Sequence, residues 1–170
     1  MNNSTKKAET SKQSKGYLSE IYSTERRPIT DYPLKLVKYL KEKYLTKETK
    51  NISILDIGCG RGDVLKAFKQ VGYEVAGIDL SEEAIDLCKP IEVRQINIEK
   101  EEDENNYEKK FDIIFSKSLI EHLNQPIKFF EYCKKMLKKD GTLIVLTPSW
   151  VHHSFGPFYL DFTHITPFTL

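Results

Sequence analysis

The sequence has only three cysteines in 170 residues: Cys59, Cys88 and Cys133. They are odd in number, far apart and without CxxC spacing. This argues against a disulfide framework and against a zinc site, so no metal is expected. Each cysteine reads as a small packing residue in a reducing cytoplasm. No apolar run is long enough to span a bilayer. The first residues are polar and lack an apolar h-region, so no secretory signal is expected. Nor is there a surplus of charge. A formal net charge of +1 gives no bulk electrostatic ground for a nucleic-acid or anionic-membrane partner. The lysines scattered over the chain read as solvated surface. No internal repeat is visible. What remains is an ordinary globular composition, long enough for one domain with a real core.

Residues 1–16 are rich in Asn, Ser, Thr and Lys, too polar to bury themselves, and read as a disordered tail. Residues 17–50 form a helical segment: a short amphipathic piece over Tyr17 to Tyr22, then a helix opened by Asp31-Tyr-Pro33. Leu36, Val37, Leu40 and Tyr44 follow at helical spacing, and the polar run from Thr46 ends it. From residue 51 to 148 strands and helices alternate. Strands are expected at Ile52–Ile57, Glu74–Asp79, Glu92–Asn97, Phe111–Phe115 and Thr142–Leu146. Helices are expected at Asp63–Val71, from Ser81 to Pro90, and from Asn124-x-Pro126 to a stop at Asp140-Gly141. Glu99 to Lys110 is charged and without period, a surface loop or weak helix. Such alternation implies right-handed βαβ units and an α/β, Rossmann-like, doubly wound, mostly parallel sheet. Residues 149–170 are aromatic-rich and hold three of the four histidines. They read as an irregular lid lying over the domain.

Chemistry concentrates in Leu55-Asp56-Ile57-Gly58-Cys59-Gly60-Arg61-Gly62-Asp63, between an expected strand and an expected helix. Alternate glycines permit a tight turn and let a ligand lie against bare main chain. The carboxyl end of a parallel strand is where open α/β sheets bind ligands. A glycine turn alone could merely pack helix on strand, but this context favours a ligand. Gly77-Ile78-Asp79-Leu80-Ser81 places an acid at the end of the next strand, able to accept hydrogen bonds from both ribose hydroxyls of a nucleoside cofactor. A nicotinamide dinucleotide would set its pyrophosphate at the helix amino terminus. Asp56 and Asp63 would repel it there, whereas they suit a cofactor carrying ammonium and sulfonium charges. The GxGxG spacing also differs from GxGxxG.

Together with Phe111–Leu123 and Gly141–Pro148, these runs resemble the successive motifs of class I S-adenosylmethionine-dependent methyltransferases, over about two thirds of the chain. The resemblance implies a seven-stranded sheet, of which this sequence carries five strands and apparently lacks the last two. The fifth strand would then have an exposed edge, so that either the sequence is a fragment or a second copy, another partner chain or the tail covers that edge. It implies that Gly58, Cys59, Gly60 and Gly62 line the methionine portion, and that Asp56 meets the ammonium directly or through water. Asp79 would bind the ribose, with Leu80 against the adenine. Asn97 stands where the family often has an acid, its carbonyl oxygen able to accept from the adenine amino group, with Ile98 beside the ring. Ser116 and Lys117 are further cofactor contacts. The reaction implied is transfer of a methyl group from S-adenosylmethionine, leaving S-adenosylhomocysteine, to an oxygen of a small-molecule, sugar or lipid-linked acceptor. The alternatives are a non-catalytic cofactor- or partner-binding member and, behind it, a nicotinamide-dependent oxidoreductase.

Two histidines are placed to take a proton from a hydroxyl. His122 resembles the histidine of the family's Glu-His-Leu stretch. His164 lies in Asp161-Phe-Thr-His-Ile-Thr-Pro-Phe-Thr169, which resembles a segment of glycan- and lipid-linked bacterial members. Each has a second reading as a hydrogen-bonded histidine holding its loop or lid. His152 and His153 are adjacent, point differently, and are not expected to share a metal.

Overall fold

The computed structural model describes residues 18, 25–45, 50–100, 107, 110–153, 156–161 and 163–169. The expected tail, most of the Tyr17–Tyr22 piece, and most of the charged run after residue 100 lie outside the described residues. The elements are α1 (Tyr32–Lys43), β1 (Ser53–Ile57), α2 (Asp63–Val71), β2 (Glu74–Asp79), α3 (Glu83–Cys88), β3 (Val93–Gln95), β4 (Phe111–Lys117), a 3-10 turn (Ile120–His122), α4 (Pro126–Met136), β5 (Leu137–Leu146), α5 (Trp150–His153) and α6 (Pro157–Leu160).

The five strands form one sheet in the order β3-β2-β1-β4-β5, and every pairing is parallel. β1 is buried along its whole length, as a central strand covered on both faces must be. Alternation along the strands supplies both layers. Ile54, Ile113 and Phe115 face Val37 and Leu40 of α1 and Ala67 and Phe68 of α2. Leu55, Ile57 and Ile114 face Phe129, Tyr132 and Met136 of α4. A third cluster joins Leu65, Cys59, Ala84 and Cys88, fastening α3 to α2, and includes Leu18. Strand order reverses at β1 and β4, so their carboxyl ends border the crevice where such sheets take ligands.

The expected Asp63 helix and Glu74 strand have the observed limits. The fifth strand does not. α4 ends at Met136, and β5 starts at Leu137 instead of Thr142. Asp140-Gly141 was expected to stop the helix; instead it kinks the strand. Asp140 is left-handed, at φ 63°, and the register breaks between Phe111 and Ile113. The segment from Leu137 is held because Leu137 pairs with Phe111 and Lys138 meets Asp112 at 2.9 Å. Residues 149–170 are also more regular than expected. Their described residues contain two single-turn helices and a parallel bridge between Ser149 and Phe168. Trp150 and Phe158 pack edge to face at 5.4 Å. No helix among the described residues is long and apolar enough to cross a membrane.

A side chain at Gly141 would have no room: its Cβ would lie 2.8 Å from Leu137 Cγ and 2.9 Å from the carbonyl oxygen of Asp112. Gly141→Ala is expected to cost about 1–3 kcal/mol, measured by urea unfolding. An unchanged midpoint would show that the kink does not depend on the glycine.

Candidate functional site

The glycine run becomes a left-handed loop. Gly58, Gly60 and Gly62 have φ of 77°, 52° and 73°, values that only glycine adopts readily. The amides of Gly58 and Cys59 both donate to the carbonyl of Ile78, at 2.8 and 3.1 Å. The Gly60 amide donates to Asp79 Oδ2 at 2.8 Å, and the Ser81 amide to Asp79 Oδ1 at 2.8 Å. One carboxylate therefore ties the loop after β1 to the loop after β2. Cys59 is turned inward: its sulfur lies 2.9 Å from where a Gly77 Cβ would sit, so it offers a ligand only main chain.

Asp56 and Asp79 share this pocket of low dielectric. Burial and the neighbouring Asp79 charge push the Asp56 carboxyl up to about 8, against the pull of Lys117. Burial also raises Asp79, partly offset by the amides of Ser81, Gly60 and Leu80. A cation brought between them relieves this cost, and an anion increases it. The Asp63 carboxylate is taken up in an ion pair with Arg61. The charge argument against a dinucleotide thus holds with Asp56 and Asp79, and Asp63 drops out of it.

Leu80 is 56% exposed, unusual for leucine, at the rim beside Asp79. The Asn97 side-chain oxygen accepts from the Glu99 amide at 3.0 Å, which shapes its turn, while Ile98 is buried in the core. Ser116 is fully buried and donates to the Ile57 carbonyl at 2.9 Å, joining the ends of β1 and β4. Lys117 lies 5.9 Å from the Tyr32 ring. Ser118 is left-handed at φ 54°, and the chain turns there so that Leu119 packs 3.1–3.3 Å from the position of a Gly58 Cβ. The loop after β4 and the glycine loop therefore touch.

Beyond Leu119 come Glu121 and His122, and the returning segment docks on them. The amides of Ile165 and Thr166 donate to the Glu121 carbonyl at 2.9 and 3.0 Å, and Thr166 Oγ1 donates to the Leu123 carbonyl at 2.9 Å. This brings His164 against His122, ring centres 4.7 Å apart. His164 Nδ1 lies 2.7 Å from the Phe158 carbonyl, and His122 Nδ1 lies 3.1 Å from the Thr163 carbonyl and 2.9 Å from Thr163 Oγ1. A carbonyl only accepts, so these partners assign the proton to Nδ1 and the lone pair to Nε2 in both neutral rings. Thr163 in turn donates to Asp161 through its amide and hydroxyl. Burial opposes it, yet Thr163 and the two histidines hold the Asp161 carboxyl below its ordinary value. His152 lies apart, exposed on α5. Sequence reasoning gave no role to Glu121, Asp161 or Thr163. Their parts depend on contact between segments about forty residues apart, which no local pattern carries.

Fold and loop define a nucleoside-binding domain of the Rossmann type. A family model described as a methyltransferase domain matches residues 26–169. The ubiquinone biosynthesis O-methyltransferase of Actinobacillus pleuropneumoniae is 30% identical over 128 residues, 68% of this chain and 55% of that protein. The enzyme of the same name from Coxiella burnetii is 33% identical over 129 residues, 68% and 52%. A SAM-dependent methyltransferase structure from Archaeoglobus fulgidus superposes with TM-score 0.64 at 27% identity, covering 80% of this chain and 63% of that one. The plantazolicin methyltransferase BpumL, solved with SAH, gives TM-score 0.56 at 22% identity, 84% and 62%. The chain spans about half the length of the curated relatives it matches. It belongs to the methyltransferase-domain family, as a class I S-adenosylmethionine-dependent member. S-adenosylmethionine is the cofactor of this class, and the site suits it: an open, left-handed glycine loop faces one buried and one part-buried carboxylate that call for positive charge.

The Asp56 carboxyl is raised in the fold, so it contributes stability at low pH that is lost as pH climbs from the ordinary carboxylate range towards 8. Ligand-free Asp56→Asn protein is therefore expected to gain on the parent between pH 5 and pH 8, read as melting temperature. A difference that does not vary with pH would contradict this electrostatic account.

Proposed function

We propose that this chain transfers the methyl group of S-adenosylmethionine to an oxygen of a small-molecule, sugar or lipid-linked acceptor. The observation that carries this reading is the His122–His164 pair, 4.7 Å between ring centres, on a loop that touches the glycine loop through Leu119. The relatives named ubiquinone biosynthesis O-methyltransferase favour an oxygen acceptor. When bound, S-adenosylmethionine supplies a methyl group already activated by a positive sulfur, so the protein's work is alignment, exclusion of water and management of one proton.

The Gly58–Gly62 loop holds the methionine portion, with Asp56 serving its ammonium, Lys117 nearby and Ser116 bracing the floor. The Asp79 carboxylate, already held by the amides of Gly60 and Ser81, keeps acceptor capacity for the ribose. Leu80 lies on the adenine, with Asn97 and Ile98 at its edge. On the acceptor side, His164 Nε2 takes the hydroxyl proton. Its Nδ1–H is anchored on the Phe158 carbonyl, and Asp161 Oδ2 lies 3.8 Å from Nε2. His122, backed by Thr163 and Asp161, is the second base. The aromatic segment that carries His164 closes the acceptor pocket. A cytoplasmic location suits three buried free thiols.

Titration calorimetry with S-adenosylhomocysteine tests the cofactor half. Asp79→Ala, still folded, is expected to bind at least roughly tenfold more weakly, having lost the bracket on Gly60 and the ribose acceptor. Parent-like affinity would sink the assignment. The acceptor half is read by label transfer from methyl-tritiated cofactor to a panel of phenols, catechols, sugars and lipid extracts. His164→Ala is expected to lower kcat about 10²–10⁴-fold with S-adenosylhomocysteine affinity kept. Cofactor binding without transfer to any acceptor would favour a non-catalytic member.

A further inference from the structure

Glu121 is fully buried. Its Oε2 accepts from Thr147 Oγ1 at 3.0 Å, while Oε1 has no hydrogen-bond partner among the described residues. A carboxylate oxygen left bare in an interior is costly and marks a missing partner. Beside it are the two imidazoles whose Nδ1 atoms are spent on the main-chain carbonyls of Thr163 and Phe158. Ligand atoms of Glu121, His122 and His164 lie within 4.8 Å of one another. We propose that these three side chains bind one divalent transition-metal ion.

The geometry agrees with the requirements of such an ion. Bonds of about 2.0–2.2 Å set ligand atoms roughly 3–3.5 Å apart, so the three need to close by about one ångström, within the reach of side-chain adjustment. Metal-bound histidine is nearly always fixed through its other ring nitrogen, by a carbonyl or carboxylate. Here both rings are fixed in that way, and the Asp161–Thr163 pair stands behind His122. Two imidazoles and one carboxylate favour zinc, manganese, iron or cobalt over magnesium or calcium. Three protein ligands leave a position open, as in metal sites that act on a substrate.

The ion's use rests on the methyl-transfer reading, but its binding does not. With both Nε2 lone pairs on the ion, His164 ceases to be a free base. An acceptor hydroxyl meeting the open position loses its proton more readily, and that proton goes to solvent. The oxygen then gains the methyl carbon as the carbon–sulfur bond breaks, its electron pair staying on sulfur.

The test uses tag-free, chelator-stripped full chain without cofactor, titrated with cobalt(II) and read by visible absorption and calorimetry. Saturable binding of one ion per chain is expected. Glu121→Gln and His164→Ala should each weaken it at least tenfold, while S-adenosylhomocysteine affinity stays within about twofold and certifies the fold. His152→Ala, outside the cluster, should leave ion binding unchanged. Absence of saturable binding, or binding kept in both Glu121→Gln and His164→Ala, overturns the proposal. Ion binding by a parent chain that does not take S-adenosylhomocysteine supports the ion site and removes the methyl-transfer reading.

Discussion

The Asp79 carboxylate is the joint on which the site depends. It receives the Gly60 amide on one oxygen and the Ser81 amide on the other, so two loops from adjacent strands are set by one part-buried acid. Charge-assisted bonds of this kind are stronger than neutral ones, and a joint of this sort is needed here because left-handed glycines have no side chains to hold themselves in place. The acid proposed to bind the ribose thus first builds the surface around it. Placing Asp56 in the same low-dielectric pocket has an electrostatic cost, and that cost selects a cationic ligand over an anionic one.

Around that joint the ends of β1, β4 and β5 are fastened one to the next. Ser116 reaches the Ile57 carbonyl, Leu119 covers Gly58, and Thr147 reaches Glu121. Cofactor side and histidine side are in this way parts of one rim. The packing beneath it is ordinary: two apolar layers on a parallel sheet, alternating along each strand.

Much of this was legible in the sequence, for physical reasons. The Asp63–Val71 helix has a strong apolar face and glycines at both caps, Gly62 and Gly72, each left-handed. β2 is bounded by Gly72 and Ser81, and its limits are as expected. The glycine turn could be read because alternate glycines at this spacing permit the left-handed loop that forms. The start of β5 could not: Leu137 to Asp140 has no strand pattern, and it pairs only because Phe111 and Asp112 wait across the sheet. The charge role of Asp63 was misread for a similar reason, since residue type alone does not show that Arg61 already neutralises it. Glu121 and Thr163 stayed silent because their meaning arises from contact between segments far apart in the chain.

The docking of the returning segment has an evolutionary consequence. Ile165 and Thr166 are held by their amides on a single main-chain carbonyl, that of Glu121, a contact any residue but proline can make. Ile165 presents its side chain outward. Amino-acid replacement at this position can therefore accumulate without undocking the segment, leaving the scaffold unchanged while its outer surface varies.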